Sequence, residues 1–177
     1  MASTIMMMEA VNMYLGNADP DKAKFLKLTS MTLPNLEYDV VDHTPGGGAM
    51  GVGWSMGAIK KLEPTFKMSG WDEEGYRLFG VGSGAIDTFT CYGVIKDKRE
   101  AKILKGVAVY RGSIGKITAD AFTRGAEFGH DYRLDEVTYY KLTIGGQPWY
   151  EVDFWNSPKA TVFGVSDQEY AAALGLI

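Results

Sequence analysis

Tyr132-Arg133-Leu134-Asp135-Glu136-Val137-Thr138-Tyr139-Tyr140-Lys141-Leu142-Thr143-Ile144, then Gly145-Gly146, then Gln147-Pro148-Trp149-Tyr150-Glu151-Val152-Asp153-Phe154-Trp155 is the stretch on which the fold turns. Leu134, Thr138, Tyr140, Leu142 and Ile144 alternate with Arg133, Asp135, Val137, Tyr139 and Lys141, the period of a strand. A glycine pair after the run supplies the positive φ angles that a tight hairpin needs, so Trp149 to Trp155 is predicted to fold back on it. Neither face is purely polar. Trp149, Trp155, Tyr139 and Val137 share faces with charged residues, which suggests contact with something beyond the chain's own core.

Upstream segments read the same way. Val11, Met13 and Leu15 alternate with Asn12 and Tyr14. Gly16 to Asp21 has turn chemistry, and Phe25 to Met31 resumes as a strand, so a first hairpin is expected there. Glu37 to Val41 is a short strand. Leu62, Pro64, Phe66 and Met68 alternate with Lys61, Glu63, Thr65 and Lys67, Pro64 pointing to an edge or bulge. Ile86 to Ile95 and Leu104 to Arg111 are further strands, whereas residues 118 to 131 show no clear period and read as a loop. Helices are few. Asp72-Glu73-Glu74 opens one that stops at Gly80, and Ser166 to Glu169 has the spacing of a capping box for a second.

Between two of these strands lies Pro45-Gly46-Gly47-Gly48-Ala49-Met50-Gly51-Val52-Gly53-Trp54-Ser55-Met56-Gly57. It can be read as a phosphate cradle, as the elbow of a nucleophilic serine, or as an arm that docks on a neighbouring copy. Gly53-Trp54-Ser55-Met56-Gly57 fits the elbow pattern, with Asp72 or Asp87 and then His130 in hydrolase order. An elbow requires a helix directly after the serine, but Ile59 to Met68 has strand period and contains Pro64. Neither Gly46-Gly47-Gly48 nor Gly80-Val81-Gly82-Ser83-Gly84 continues into a phosphate-loop ending.

The chain has 177 residues, 46% hydrophobic and 12% aromatic, enough for one domain over residues 1–177 with a core that needs no staples. Twenty-two glycines and ten tyrosines favour a mainly β class. A net charge of −4 argues against a surface that grips nucleic acid. Cys91, the single cysteine, reads as a small buried hydrophobe in a reducing compartment. Met1 to Met8 lacks the basic flank of an export signal and Glu9 interrupts it, and no stretch approaches bilayer length. His43 and His130 have no ligand-spaced neighbours, so no metal or cofactor is expected. Asp72-Glu73-Glu74 reads as a solvated helix start rather than a cation site.

The order and spacing of several pieces resemble one family. They are Thr32-Leu33-Pro34, Gly48-Ala49-Met50-Gly51, Lys61-Leu62-Glu63, Val137-Thr138-Tyr139-Tyr140-Lys141-Leu142, Gly145-Gly146, Glu151-Val152-Asp153 and Gly164-Val165. From about Val11 to Leu176 the chain resembles the major tail tube protein of contractile-tailed phages, R-type pyocins and prophage tails. Where that family usually has asparagine before the Gly-Val pair, this chain has Phe163. The resemblance implies a β-sandwich or β-barrel flanked by a short helix, as also in the haemolysin-coregulated protein of type VI secretion. It implies a non-enzymatic subunit in rings of six, stacked into a hollow conduit. Sheath, tape-measure, baseplate and terminator proteins would be its partners, without membrane insertion. The location would be the virion tail, after assembly in the bacterial cytoplasm.

On that reading residues 42–57 form an extended assembly arm, with Met50, Trp54, Met56, Trp149 and Trp155 as interface residues. A ring of six copies at −4 each carries about −24, a sign that would let DNA slide through without binding. The alternatives are a type VI secretion-like tube protein and a small serine hydrolase using Ser55 and His130.

Overall fold

The computed structural model describes residues 4–16, 19–80 and 86–176. Asn17 and Ala18 of the first turn and Val81-Gly82-Ser83-Gly84 of the second glycine-rich stretch lie outside them. Among the described residues there are ten strands: β1 Met6–Leu15, β2 Leu28–Thr32, β3 Tyr38–His43, β4 Val52–Ile59, β5 Thr65–Ser69, β6 Asp87–Asp97, β7 Ile103–Ala119, β8 Gly129–Ile144, β9 Gln147–Asp153 and β10 Thr161–Val162. Two α-helices, α1 Glu73–Gly80 and α2 Gln168–Ala173, complete the description with a 3-10 turn at Pro20–Lys22. The chain is mainly β, as its alternating patterns predict.

The main sheet runs β1-β6-β7-β8-β5-β2, all antiparallel, with β9 on the second half of β8 and β10 on β9. Its ends curl towards each other, so that the Lys24 N–H donates to the Met13 carbonyl at 3.1 Å. The expected first hairpin is therefore replaced. β1 pairs with β6 and β2 with β5, because Phe25 to Lys27 turn rather than extend and leave the two segments meeting only at their ends.

On the edge away from β7, β8 serves two partners, β5 along Gly129–Arg133 and β9 along Tyr139–Ile144. It can do so because the sheet kinks midway. The β7–β8 register shifts between Arg111 and Ser113, and Glu136 takes a φ of 51°. Gly112 sits in the bend, where an added Cβ would lie 2.8 Å from the Asp135 carbonyl oxygen, so only glycine lets the strands pass so closely. The hairpin expected at Gly145-Gly146 is present, with φ of 59° and 82°, as a two-residue loop with both central φ positive requires.

Inside the curl lie Met13, Leu15, Leu28, Leu62, Phe66, Met68, Phe89, Tyr110, Ile114, Tyr132, Leu134 and Tyr140, each buried. Tyr110 stands opposite Tyr140 in register, with rings stacked at 5.0 Å. Full burial of one such side chain stabilises by about 1.5–3 kcal/mol. Cys91 is buried among them, as expected.

Two sequence expectations need correction in detail. Asp72 is not solvated: it is 2% exposed, accepts the Gly75 N–H at 3.0 Å and binds the Lys24 ammonium at 2.8 Å. The closing helix is capped by Asp167, whose carboxylate takes the Tyr170 N–H at 3.0 Å, and not by Ser166.

Candidate assembly surfaces

The glycine-rich stretch is less of a loop than its composition suggests. β3 and β4 pair with each other alone as a separate two-stranded sheet, His43 opposite Val52, Val41 opposite Trp54 and Val40 opposite Ser55. Only residues 44–51 connect them, so the arm is a hairpin with a glycine-rich tip. Valines, Trp54 and Met56 supply strand propensity that the glycines conceal. Its base is closed by Lys60, whose N–H donates to the Glu37 carbonyl at 2.8 Å and whose ammonium meets the Glu37 carboxylate at 2.6 Å.

Among the described residues, the body supports this hairpin only at its base, where Ile59 packs against the core. Every residue of β3 is exposed, as are the first five of β4, and Met50, Trp54 and Met56 are 72%, 60% and 60% exposed. Between its base and the body runs a trough of about 1080 Å³, floored by Ile59, Leu62, Val137 and Val152.

The other two expected interface residues lie elsewhere. Trp149 is half-buried in β9 and packs on Phe163 at 5.6 Å, while Trp155 follows β9 in a turn, 71% exposed against Phe154 at 5.0 Å. The five residues therefore fall on separate surfaces. Val137 packs against the core, and Tyr139 donates to the Glu151 carboxylate at 2.8 Å beside Lys141 at 2.9 Å. That face is satisfied from within. The Lys141 bond, opposed by burial and helped by the Tyr139 bond, holds Glu151 below the ordinary carboxylate range.

A further exposed aromatic group, with no counterpart in the sequence patterns, surrounds the start of α1. Trp71 lies over His130 at 4.7 Å, with Tyr76 and Phe128 5.6 and 5.3 Å from Trp71, and Trp71 itself exposed. The aromatic clustering of Trp71, Tyr76, Phe122, Phe128 and His130 is dispersed through the sequence, so no local period signals it.

The hydrolase alternative fails on geometry. β4 continues as a strand through Ser55 to Ile59, so the helix of an elbow is missing. His130 is fully buried, its Nδ1 3.0 Å from the Gly70 carbonyl oxygen. Asp72 is committed to Lys24, and Asp87 accepts the Thr88 N–H at 2.7 Å. Among the described residues, no group of three His, Cys, Asp or Glu could hold a metal, and no helix is long and apolar enough to cross a membrane.

The described residues form a curled β-body from which an exposed apolar hairpin extends. The family model for phage tail tube protein FII matches residues 8–174. The chain belongs to that family, and it is a structural tail tube protein, not an enzyme. No curated protein matches the chain significantly. Among solved structures it is similar to a chain of the PVC extracellular contractile injection system in its extended sheath-tube complex. The identity is 12% and the TM-score 0.48, over 72% of this chain and 86% of that one. A chain of the sheath/tube terminator of the same system is 9% identical with a TM-score of 0.46, over 72% and 91% of the two chains.

Proposed function

We propose that this protein is the tube subunit of a contractile tail, and that its single domain assembles into rings of six which stack into a hollow conduit for DNA. Residues 42–57 are the assembly arm. Met50, Trp54 and Met56 are its apolar anchors on a neighbouring copy, and Trp149 and Trp155 add contacts from the body. Sheath subunits surround the tube, terminator and baseplate proteins close its ends, and the tape-measure protein and then the genome occupy its lumen. Assembly takes place in the host cytoplasm, and the finished tube belongs to the virion tail.

The single observation that carries this reading is the β3–β4 hairpin, exposed on both faces. Two strands alone are marginally stable in water, and a valine- and tryptophan-bearing pair gains its support when a second surface covers it. A head-to-tail contact of this kind closes into a ring or extends into a filament, and a tube uses both outcomes.

Negative-stain microscopy of the purified full chain tests it. Rings and tubes are the expected result, and monomers across a wide concentration range would contradict it.

A further inference from the structure

Apart from Ala171, every described residue from Val162 to Leu176 is exposed. The helix α2 within that segment buries none of its six residues, and so short a helix does not hold itself in water. Tyr170, Leu174 and Leu176 stay in solvent with it. Its order therefore depends on what ties it to the body.

Lys159 is that tie. Among the described residues, every hydrogen bond, ion pair and cation–π contact between residues 166–176 and the body is made by this one side chain. Its ammonium donates to the Asp167 carboxylate at 2.8 Å and lies over the Tyr170 ring, 4.1 Å from the centroid. Asp167 in turn accepts the Tyr170 N–H at 3.0 Å as the cap of α2, so the lysine grips the cap and the residue it caps. Lys159 is itself firmly placed. Asp153 folds the turn before it, accepting the N–H groups of Trp155 at 3.0 Å and Asn156 at 3.3 Å, and the Ser157 hydroxyl donates to the Lys159 carbonyl.

The segment leaves the body through a strained turn. Val162 and Val165 exchange both backbone hydrogen bonds, at 3.0 and 2.9 Å, around Phe163 and Gly164, whose φ angles are 50° and 79°. A two-residue turn with both φ positive suits Asn-Gly, and a bulky ring at its first place persists only while its surroundings hold it. The hold comes from Trp149, whose carbonyl accepts the Phe163 N–H at 3.1 Å and whose ring packs on Phe163 at 5.6 Å.

We propose that residues 163–176 are a strap, pivoting at Phe163-Gly164 and latched by Lys159, that covers Trp149 when closed and uncovers it when the latch opens. An ion pair and a cation–π contact within reach of solvent are weak and screened by salt, and the strained turn favours release. Opening leaves the sheet as it is, because no strap residue belongs to the core. The strap does not rest on the tube reading, since every group in it belongs to one chain.

The test is amide hydrogen exchange on the full chain and on Lys159→Met, Lys159→Arg and Asp167→Asn, compared in the same sedimentation state. Lys159→Met keeps the aliphatic stem, and Asp167→Asn keeps a capping side chain, so both remove the latch alone. In these two the amides of Phe163, Tyr170, Leu174 and Leu176 are expected to exchange about fivefold faster than in the wild type, with β6, β7 and β8 unchanged. Lys159→Arg is expected to match the wild type. Raising salt from about 0.05 to 1 M is expected to speed the same amides in the wild type and not in Lys159→Met. Oxidative footprinting of Trp149 is expected to rise in both latch variants. A strap without protection in the wild type, unchanged exchange or unchanged Trp149 footprint in Asp167→Asn, or faster exchange spread through the body in both variants would each overturn the proposal.

Discussion

Trp54 stands directly opposite Val41 across the β3–β4 hairpin, and both side chains remain more than half exposed. The pair forms one apolar face that nothing among the described residues covers. Truncating Trp54 therefore removes little from the isolated fold, and Trp54→Ala is expected to change stability by less than about 0.5 kcal/mol. Its effect falls on assembly, because a central aromatic anchor typically contributes about 2 kcal/mol or more to an interface. Thermal unfolding together with pelleting of tubes checks both halves, and a variant that polymerises like the wild type would remove Trp54 from the interface.

The Asp72–Lys24 pair ties the turn before β2 to the start of α1. Burial alone would push the Asp72 carboxyl up, but the Lys24 hydrogen bond, the Gly75 N–H and the Lys27 charge hold it below the ordinary range. A depressed carboxyl contributes stability above its unfolded pKa, and that contribution is lost as pH falls through the folded value. Asp72→Asn keeps an acceptor for Gly75 but leaves Lys24 with Glu74 alone, at 2.9 Å. The expected loss is about 2 kcal/mol at pH 7, shrinking below about pH 4 as the wild type loses the same charge. Urea unfolding at pH 7 and pH 3 measures the difference.

Gly112 makes the kink that lets one curled sheet serve two sets of partners. An added methyl would press on the Asp135 carbonyl at 2.8 Å and on the Val137 Cα at 3.3 Å, both backbone, which cannot swing aside. Gly112→Ala is expected to destabilise by about 1–3 kcal/mol in spite of the entropy that alanine saves in the unfolded chain. Denaturant melts with an unchanged slope would show it.

Cys91 is held as a neutral thiol, because burial pushes its pKa up to about 12. The thiolate is the reactive form, so a disulfide reagent at pH 8 is expected to label the native protein only as fast as it unfolds. Labelling at the rate of a free thiol in native buffer would contradict that placement.

Much of the β character was legible because period-two alternation survives in β6 and β8, and the Gly145-Gly146 turn is set by two positive φ angles. Pairing was harder to read. Nothing in Val11 to Leu15 or Phe25 to Met31 says that each prefers a distant partner, since strand pairing is chosen by the whole core. The arm at residues 42–57 reads as a loop because its glycines mask Val52, Trp54 and Met56, which form β4 opposite β3. Phe163 shows the reverse case. Its φ of 50° belongs to the left-handed region, which a bulky ring seldom adopts and which the local sequence does not announce. The aromatic group around Trp71 came from residues far apart in sequence and left no local trace.

The most direct test of the account is sedimentation velocity on the full chain and on a chain lacking residues 46–53, the tip and first strand residues of the hairpin. Large, concentration-dependent species are expected for the full chain. The shortened chain should sediment as a folded monomer with an unchanged far-UV spectrum. A shortened chain that assembles to the same species as the full one would contradict the hairpin's role.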